Sequence, residues 1–117
     1  SSNWLTQPNA VPRHKPEINT AIALACQYLG MRFYIMAGGS GATSPPPASH
    51  VKHIRAKTDL FLIPTSGITN EKHARDLFNE GADAIHVGSL IEQKSGLNKL
   101  RRLVSVSKKF SGKDFLV

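Results

Sequence analysis

The sequence has few of the residues on which several classes of protein depend. Its 117 residues include one cysteine, Cys26, which excludes an intrachain disulfide scaffold and fits a reducing cytoplasm. No apolar run approaches the roughly 18 residues that a membrane-spanning helix needs. Aromatic residues make up 7% of the chain and are not grouped into a platform for stacking bases. We therefore expect a cytoplasmic protein without a transmembrane segment and without nucleic acid as a partner.

Acidic residues are scarce as well. Eight aspartates and glutamates stand against 15 lysines and arginines, which leaves a formal charge of +7. Such a surplus favours anionic partners, and charge alone does not choose between phosphates, nucleic acid and an anionic membrane surface. The eight carboxylates form no obvious metal-binding cluster in the sequence. Apolar residues make up 40% of the chain, which is enough to build the core of one small domain.

Apolar segments alternate with helical patterns along the chain. The sequence predicts three strands, at 32–37, 60–64 and 83–88, and helices from Pro16, from Ser49, over 71–80 and over 97–110. The strands begin at intervals of roughly 25 residues, which is the size of a repeating βα unit. No two strands are close enough in sequence for a tight hairpin, so we expect right-handed crossovers and a parallel sheet.

Three parallel strands with four helices would leave both edges of the sheet open. A complete (β/α)8 barrel takes about 250 residues. We therefore predict an α/β fold, a partial TIM barrel made of about the last three βα units and a preceding helix. Residues 1–117 are interpreted as a single domain, with an N-terminal loop over 1–15 and phosphate-binding βα units over 31–117. Either further chain or a partner subunit would complete the barrel.

Each predicted strand ends in small residues. The first is followed by Gly38, Gly39, Ser40 and Gly41, the second by Thr65, Ser66 and Gly67, and the third by Gly88 and Ser89. The carboxyl ends of parallel strands meet at one edge of a sheet, so the backbone N–H groups and hydroxyls of these turns can converge on an anion. Barrels commonly bind phosphate with the loops after their last two strands. We predict a phosphate site here; the alternative is that the glycines only turn strands into helices.

Three segments carry a family resemblance: "VPRHKPEINTAIALACQYLGMRFY", "YIMAGGSGA" and "IPTSGITNEKHARDLFNEGADAIHVGSLIE". As a set they resemble the C-terminal part of geranylgeranylglyceryl phosphate synthase, over about Val11 to Glu92. The resemblance implies a modified TIM barrel. It also implies transfer of a geranylgeranyl (polyprenyl) group from its diphosphate to the C3 hydroxyl of sn-glycerol 1-phosphate, in archaeal ether lipid biosynthesis, with Mg²⁺ bound to the diphosphate.

The resemblance also implies site residues. Tyr34 would line the glycerol phosphate pocket as a catalytic residue, and the family glutamate two residues later falls on Met36. The phosphate-binding residues would be Ser40, Gly41, Ser66, Gly67, Gly88 and Ser89. Arg13 and Lys15 are candidates for contacts with the diphosphate, with solvated loop charge as the alternative reading.

The metal ligands are expected elsewhere. The family's strand-one aspartate has no counterpart in this chain, so we expect the Mg²⁺ ligands on an N-terminal partial-barrel chain that forms a hetero-oligomer with it. Two other functions stay open: another phosphate-binding TIM-barrel enzyme, and a non-catalytic phosphate-binding partner subunit. The last helix carries Lys99, Arg101, Arg102, Lys108 and Lys109, a pattern of either a solvated basic face or a peripheral membrane contact.

Three histidines are further candidates for ligand or metal contacts. His50 and His53 lie on a predicted outer helix, where we expect surface positions rather than a metal site. His86 lies inside the third strand, close to its glycine turn. We interpret His86 as a packing residue, with a ligand contact as the alternative.

Overall fold

Helices and strands alternate along the chain, as the sequence predicts. The computed structural model describes residues 14–37, 44–110 and 114–116. These residues form α1 (Pro16–Tyr28), β1 (Phe33–Ala37), α2 (Ala48–Lys57), β2 (Phe61–Thr65), α3 (Glu71–Asn79), β3 (Ala84–His86), a short 3₁₀ helix (Ser89–Glu92), α4 (Gly96–Lys108) and β4 (Asp114–Leu116). The strands form one parallel sheet in the order β1-β2-β3-β4. This confirms the predicted α/β class.

Local sequence signals set several element boundaries. Pro16 occupies the first turn of α1, where its missing N–H costs nothing. Asn70 caps α3, because its side chain accepts a hydrogen bond of 2.9 Å from the backbone N–H of His73. Gly30 and Gly81 follow α1 and α3 with φ of 89° and 114°, a region that glycine enters without steric cost. The chain can therefore turn sharply from each helix into the next strand.

The sheet has a fourth strand that the sequence analysis did not predict. β4 lies beside β3 in parallel, with Ala84 opposite Asp114 and His86 opposite Leu116. A three-residue strand is too short to show a period of two in the sequence. The expectation of two open edges on a three-stranded sheet is therefore corrected, because β4 covers the outer edge of β3. β1 forms the opposite end of the sheet among the described strands.

The two faces of the sheet differ in their environment. On one face, side chains such as Leu62 and Ile85 are fully buried in a core shared with residues of α2, α3 and α4. On the other face, Phe33 pairs in register with Phe61, and Ile35 with Ile63. Phe33 and Ile35 remain 63% and 64% exposed. The helices therefore cover one face, and the other is the face that points to the axis in a complete barrel.

Arg55 and Asp83 tie α2 to the sheet at the amino ends of the strands. Arg55 Nη1 lies 2.8 Å from Asp83 Oδ2, and Arg55 also donates to the carbonyl of Leu60. The same Asp83 oxygen accepts a hydrogen bond of 3.0 Å from the backbone N–H of Leu62. This partly buried contact fixes the end of the sheet opposite the glycine turns.

Candidate phosphate-binding site

The turn after β2 has an unusual backbone. Ser66 and Gly67 follow one another with φ of 71° and 69°, both in the left-handed region. For a non-glycine residue such as Ser66 this conformation costs about 1–3 kcal/mol, and such strain is concentrated at ligand sites and switches. The predicted phosphate-binding residues of this turn therefore adopt a conformation that the surrounding fold must hold in place.

Gly67 brings the first two turns together. A Cβ added at Gly67 would overlap the carbonyl group of Ser44 and lie 2.8 Å from the nitrogen of Pro45. Ser44 and Pro45 belong to the loop between β1 and α2, so the end of that loop packs directly on the turn after β2. Only glycine fits at this contact. Ser40 and Gly41, predicted from the same loop, lie outside the described residues.

The turn after β3 differs, because packing does not explain its glycine. Gly88 is exposed, with φ of −131°, and a Cβ added there would have no described atom within 4 Å. Gly88 leads directly into the 3₁₀ helix, whose first residue is Ser89. An exposed glycine that no described neighbour requires leaves room for a ligand to approach the backbone.

A side-chain pair joins the second and third turns. Thr65 and His86 are register partners on β2 and β3, and Thr65 Oγ1 lies 2.9 Å from His86 Nδ1. Ala37 of β1 lies opposite Thr65 on the other side. All three belong to the open face of the sheet, at its carboxyl end. From the sequence, His86 was interpreted as a packing residue with a ligand contact as the alternative, and its position two residues before Gly88 puts it close to the turn.

Tyr34 lies on the other face of the sheet, whereas the resemblance predicts it in the glycerol phosphate pocket. Its hydroxyl donates a hydrogen bond of 2.5 Å to Asn19 Oδ1 on α1, and it packs against the helix-side core. Burial, followed by the nearby Cys26, raises the pKa of the Tyr34 hydroxyl. Strand alternation is the reason, because Tyr34 and Met36 point to the helices while their neighbours point to the open face.

The same network corrects the expectation for His50. The side-chain nitrogen Nδ2 of Asn19 lies 3.1 Å from His50 Nδ1, and His50 is only 2% exposed. His53 is exposed, as expected. Asn19 therefore joins Tyr34 of β1 to His50 of α2 through α1, and these three side chains hold the helix layer on the first strand.

The position of Met36 changes how the family motif aligns with β1. Met36 is 3% exposed and belongs to the helix-side core, so it is not at the open face. Counting back from Ser40 without a gap, the glutamate of the family motif falls on Ala37, one residue later. Ala37 does face the open side, in register with Thr65. Counted in this way the glutamate position lies on the open face, and neither Met36 nor Ala37 carries a carboxylate.

Lys15 and Arg13 precede the first helix. Lys15 is exposed, and its carbonyl accepts a hydrogen bond of 3.3 Å from the N–H of Ile18. Lys15 directly precedes Pro16, the first residue of α1. Arg13 lies outside the described residues.

Metal ligands are not grouped in the described part of the chain. Across residues 14–37, 44–110 and 114–116, no three histidine, cysteine, aspartate or glutamate residues are placed to hold one ion. Among those carboxylates, Asp83 lies near the amino ends of the strands with Arg55, and Glu71 and Asp76 form pairs on α3. The described residues therefore do not fit a Mg²⁺ site.

Comparison with known proteins decides the family. The sequence profile of the PcrB family matches residues 1–107. The chain belongs to the PcrB family. β4 lies beyond the matched residues.

Several proteins with similar sequences are named geranylgeranylglyceryl phosphate synthase. The protein of Pyrococcus horikoshii is 39% identical over 99 residues, which are 85% of this chain and 39% of that protein. The protein of Cenarchaeum symbiosum is 42% identical over 93 residues, covering 80% of this chain and 38% of that protein. The chain thus spans about two-fifths of the length of these relatives. The resemblance inferred from the sequence is confirmed.

Solved structures of the same kind share the fold. Wild-type GGGPS from Thermoplasma volcanium superposes with a TM-score of 0.78 at 25% identity, covering 94% of this chain and 43% of that one. The (S)-3-O-geranylgeranylglyceryl phosphate synthase from Thermoplasma acidophilum, solved in complex with its substrate sn-glycerol-1-phosphate, gives the same TM-score of 0.78. The prediction of a partial TIM barrel is confirmed.

Proposed function

We propose that this chain supplies the glycerol-phosphate-binding part of a prenyltransferase. The enzyme would transfer a geranylgeranyl (polyprenyl) group from its diphosphate to sn-glycerol 1-phosphate, in the formation of archaeal ether lipids. The relatives' names and the substrate bound to the Thermoplasma acidophilum enzyme support this reaction. The observation that carries the proposal is the meeting of the Ser66–Gly67 and Gly88–Ser89 turns at one edge of the sheet, joined by Thr65 and His86.

The chain's own residues would bind and orient the acceptor. A phosphate dianion needs several donors, and the backbone N–H groups of Ser66, Gly67, Gly88 and Ser89 are placed at the edge where such a group would lie. Ser40 and Gly41 would add donors from the first turn. With the phosphate held there, the C3 hydroxyl oxygen would form its bond to the allylic carbon while the bond from that carbon to the diphosphate oxygen breaks. The diphosphate would leave as the anion, and the hydroxyl proton would pass to water. Tyr34 is not assigned a role, because its hydroxyl bonds to Asn19.

We propose that a second polypeptide contributes the rest of the barrel and that the two form a hetero-oligomer. Closure of the barrel against β3 would require β4 to leave the edge that it occupies. The open sheet face with Phe33 and Ile35 supports this, as does the exposed stripe of Ile18 and Ile22 on α1. Several large apolar side chains that are exposed to water in this way mark a surface that another structural element covers. Arg13 and Lys15 would meet the prenyl diphosphate. The described residues do not fit Mg²⁺, so its ligands would lie on the second polypeptide.

The proposed function also implies a cellular location for the reaction. Within the described residues, no helix has the length and apolarity required to cross a bilayer. We place the reaction in the cytoplasm, where both phosphorylated substrates would be found. α4 exposes Leu97 together with Arg101 and Lys108, and this face would make the peripheral contact with an anionic membrane that holds the prenyl donor.

An assay with labelled sn-glycerol 1-phosphate tests the proposal. The chain is incubated with geranylgeranyl diphosphate and Mg²⁺, alone and together with the polypeptide that co-purifies with it. We expect labelled lipid product only from the mixture. Product from the chain alone would contradict the need for a second polypeptide, and so would a single longer polypeptide that carries both parts of the barrel.

A non-catalytic phosphate-binding subunit is the second candidate. One observation favours it: neither Met36 nor Ala37 supplies the carboxylate that the family motif has on this strand. In the same assay this function predicts a stable complex that binds sn-glycerol 1-phosphate and releases no product. Another phosphate-binding barrel enzyme would bind inorganic phosphate but show no preference for sn-glycerol 1-phosphate over its enantiomer.

A further inference from the structure

We infer that His86 contacts the phosphate group of the acceptor directly, with Thr65 holding its ring in place. The inference rests on the proposed function and adds a side chain to a site otherwise built from glycine turns. His86 is the last residue of β3, two positions before Gly88. Its partner Thr65 is the last residue of β2, directly before Ser66.

Strand alternation places His86 on the side of a ligand rather than in the core. Its neighbours Ile85 and Val87 are buried among the helix-side residues. His86 is half-buried on the open face, in register with Thr65 and next to Ala37. Other positions of this face hold Phe33, Ile35, Phe61 and Ile63. A histidine among apolar residues at the carboxyl end of the strands differs from that packing and is placed where barrel ligands bind.

The hydrogen bond to Thr65 determines what the ring can offer. Thr65 Oγ1 lies 2.9 Å from Nδ1 of His86. If the threonine hydroxyl donates to Nδ1, the neutral ring carries its proton on Nε2. If the ring is protonated, Nδ1–H donates to the threonine oxygen and Nε2 still carries a proton. In both of these states Nε2 is an N–H donor on the side of the ring away from Thr65, and a phosphate oxygen is the acceptor that matches it. In the remaining neutral tautomer Nδ1–H donates to Thr65 and Nε2 accepts, so binding of the phosphate would select one of the first two states.

Two substitutions separate a ligand contact from a structural role. His86→Asn places an amide near the position of Nδ1, so it keeps the bond to Thr65 and loses Nε2. His86→Gln extends its amide toward the position of Nε2 and gives up the bond to Thr65. The measurements are KM for sn-glycerol 1-phosphate, KM for geranylgeranyl diphosphate and the melting temperature, all on the full chain assembled with the polypeptide that completes the barrel.

We expect His86→Asn to raise KM for sn-glycerol 1-phosphate about tenfold or more, as the loss of one charge-assisted hydrogen bond would. KM for the diphosphate and the melting temperature should change little. His86→Gln should keep KM for sn-glycerol 1-phosphate within about threefold of the wild type, because its amide N–H still reaches the position of Nε2. Equal rises of both KM values, or a fall in melting temperature with unchanged KM, would assign His86 a structural role and overturn the inference.

A binding measurement distinguishes failure of the proposed function from failure of the inference about His86. Binding of sn-glycerol 1-phosphate and of inorganic phosphate to the wild-type complex is measured by calorimetry beforehand. Absence of both would overturn the proposed function, and the inference with it. Wild-type binding that His86→Asn leaves unchanged would overturn the inference alone.

Discussion

At the scale of single residues, the two glycines of the later turns serve different ends. Gly67 is required by the fold, because the backbone of Ser44 and Pro45 occupies the space of a side chain. Gly88 has no such neighbour among the described residues. A glycine motif in a sequence does not distinguish these cases, because the atom that excludes a Cβ comes from a loop more than 20 residues away.

Alanine substitutions should separate these two roles. Gly67→Ala should destabilise the protein by about 2 kcal/mol or more, through the positive φ and the overlap with Ser44. Gly88→Ala should leave stability nearly unchanged, because its φ is negative and its surroundings are open. It should nevertheless weaken phosphate binding, since its methyl group would occupy space proposed for the ligand. Urea denaturation and phosphate titration of both variants check this; equal stability of the two variants would contradict it.

Tyr34 offers a second comparison at this scale. Tyr34→Phe removes the hydroxyl that donates to Asn19 and should cost about 1 kcal/mol of stability. KM for sn-glycerol 1-phosphate should stay as in the wild type, because the hydroxyl lies among the helices. Unchanged stability with a large loss of activity would contradict this prediction and would support a role for Tyr34 in the active site.

At the scale of elements, the sequence predicted most of what its patterns determine locally. The three βα units and the start of α1 at Pro16 depend on residues close in sequence, and they were found. The cap at Asn70 and the turns at Gly30 and Gly81 are local features of the same kind. β4 was missed because three residues have no period. The helix-side places of Tyr34 and Met36 depend on the register of β1, and a shift of one residue reverses every side chain of a strand.

Contacts between elements that are distant along the chain could not be predicted from the sequence either. The burial of His50 depends on Asn19, 31 residues away, and the pair of Thr65 and His86 forms only when two strands align. Their residue types were visible, but their distances depend on the assembled sheet. The site could therefore be predicted as a set of turns, and its side chains could not be assigned.

The start of α3 should make stability depend on pH. Burial, followed by the charge of Lys72, lowers the pKa of His73, and Asp76 opposes this shift. His73 Nδ1 also accepts a hydrogen bond of 3.3 Å from the N–H of Thr69. The unfolded chain, with a histidine pKa of about 6.5, then binds more protons than the folded chain. Stability should fall as the pH drops through about 6.5.

A matched variant isolates this contribution. His73→Gln keeps a polar side chain at the same place and does not titrate. The midpoint of urea denaturation should fall less between pH 7.5 and pH 5.5 in this variant than in the wild type. Identical slopes in both proteins would show that His73 does not contribute.

At the scale of the whole molecule, the described residues form a partial barrel whose two sheet faces differ. The helix-side core is closed around residues such as Ile54, Leu77 and Leu103, whereas the axial face leaves Phe33 and Ile35 in solvent. The core is therefore supplied by this chain, and under the proposed function the enclosure of a substrate would need the rest of the barrel. The Arg55–Asp83 contact fixes the amino end of the sheet and leaves the turns at the other end available for binding.

Mapping of amide chemical shifts tests the central claim most directly. The ¹⁵N-labelled chain, in complex with the polypeptide that completes the barrel, is titrated with sn-glycerol 1-phosphate, and with its enantiomer as the control. The account predicts the largest shifts at the amides of Ser66, Gly67, Gly88 and Ser89, with weaker effects from the enantiomer. Shifts confined to α4, or no shifts at these four amides under saturating ligand, would contradict it.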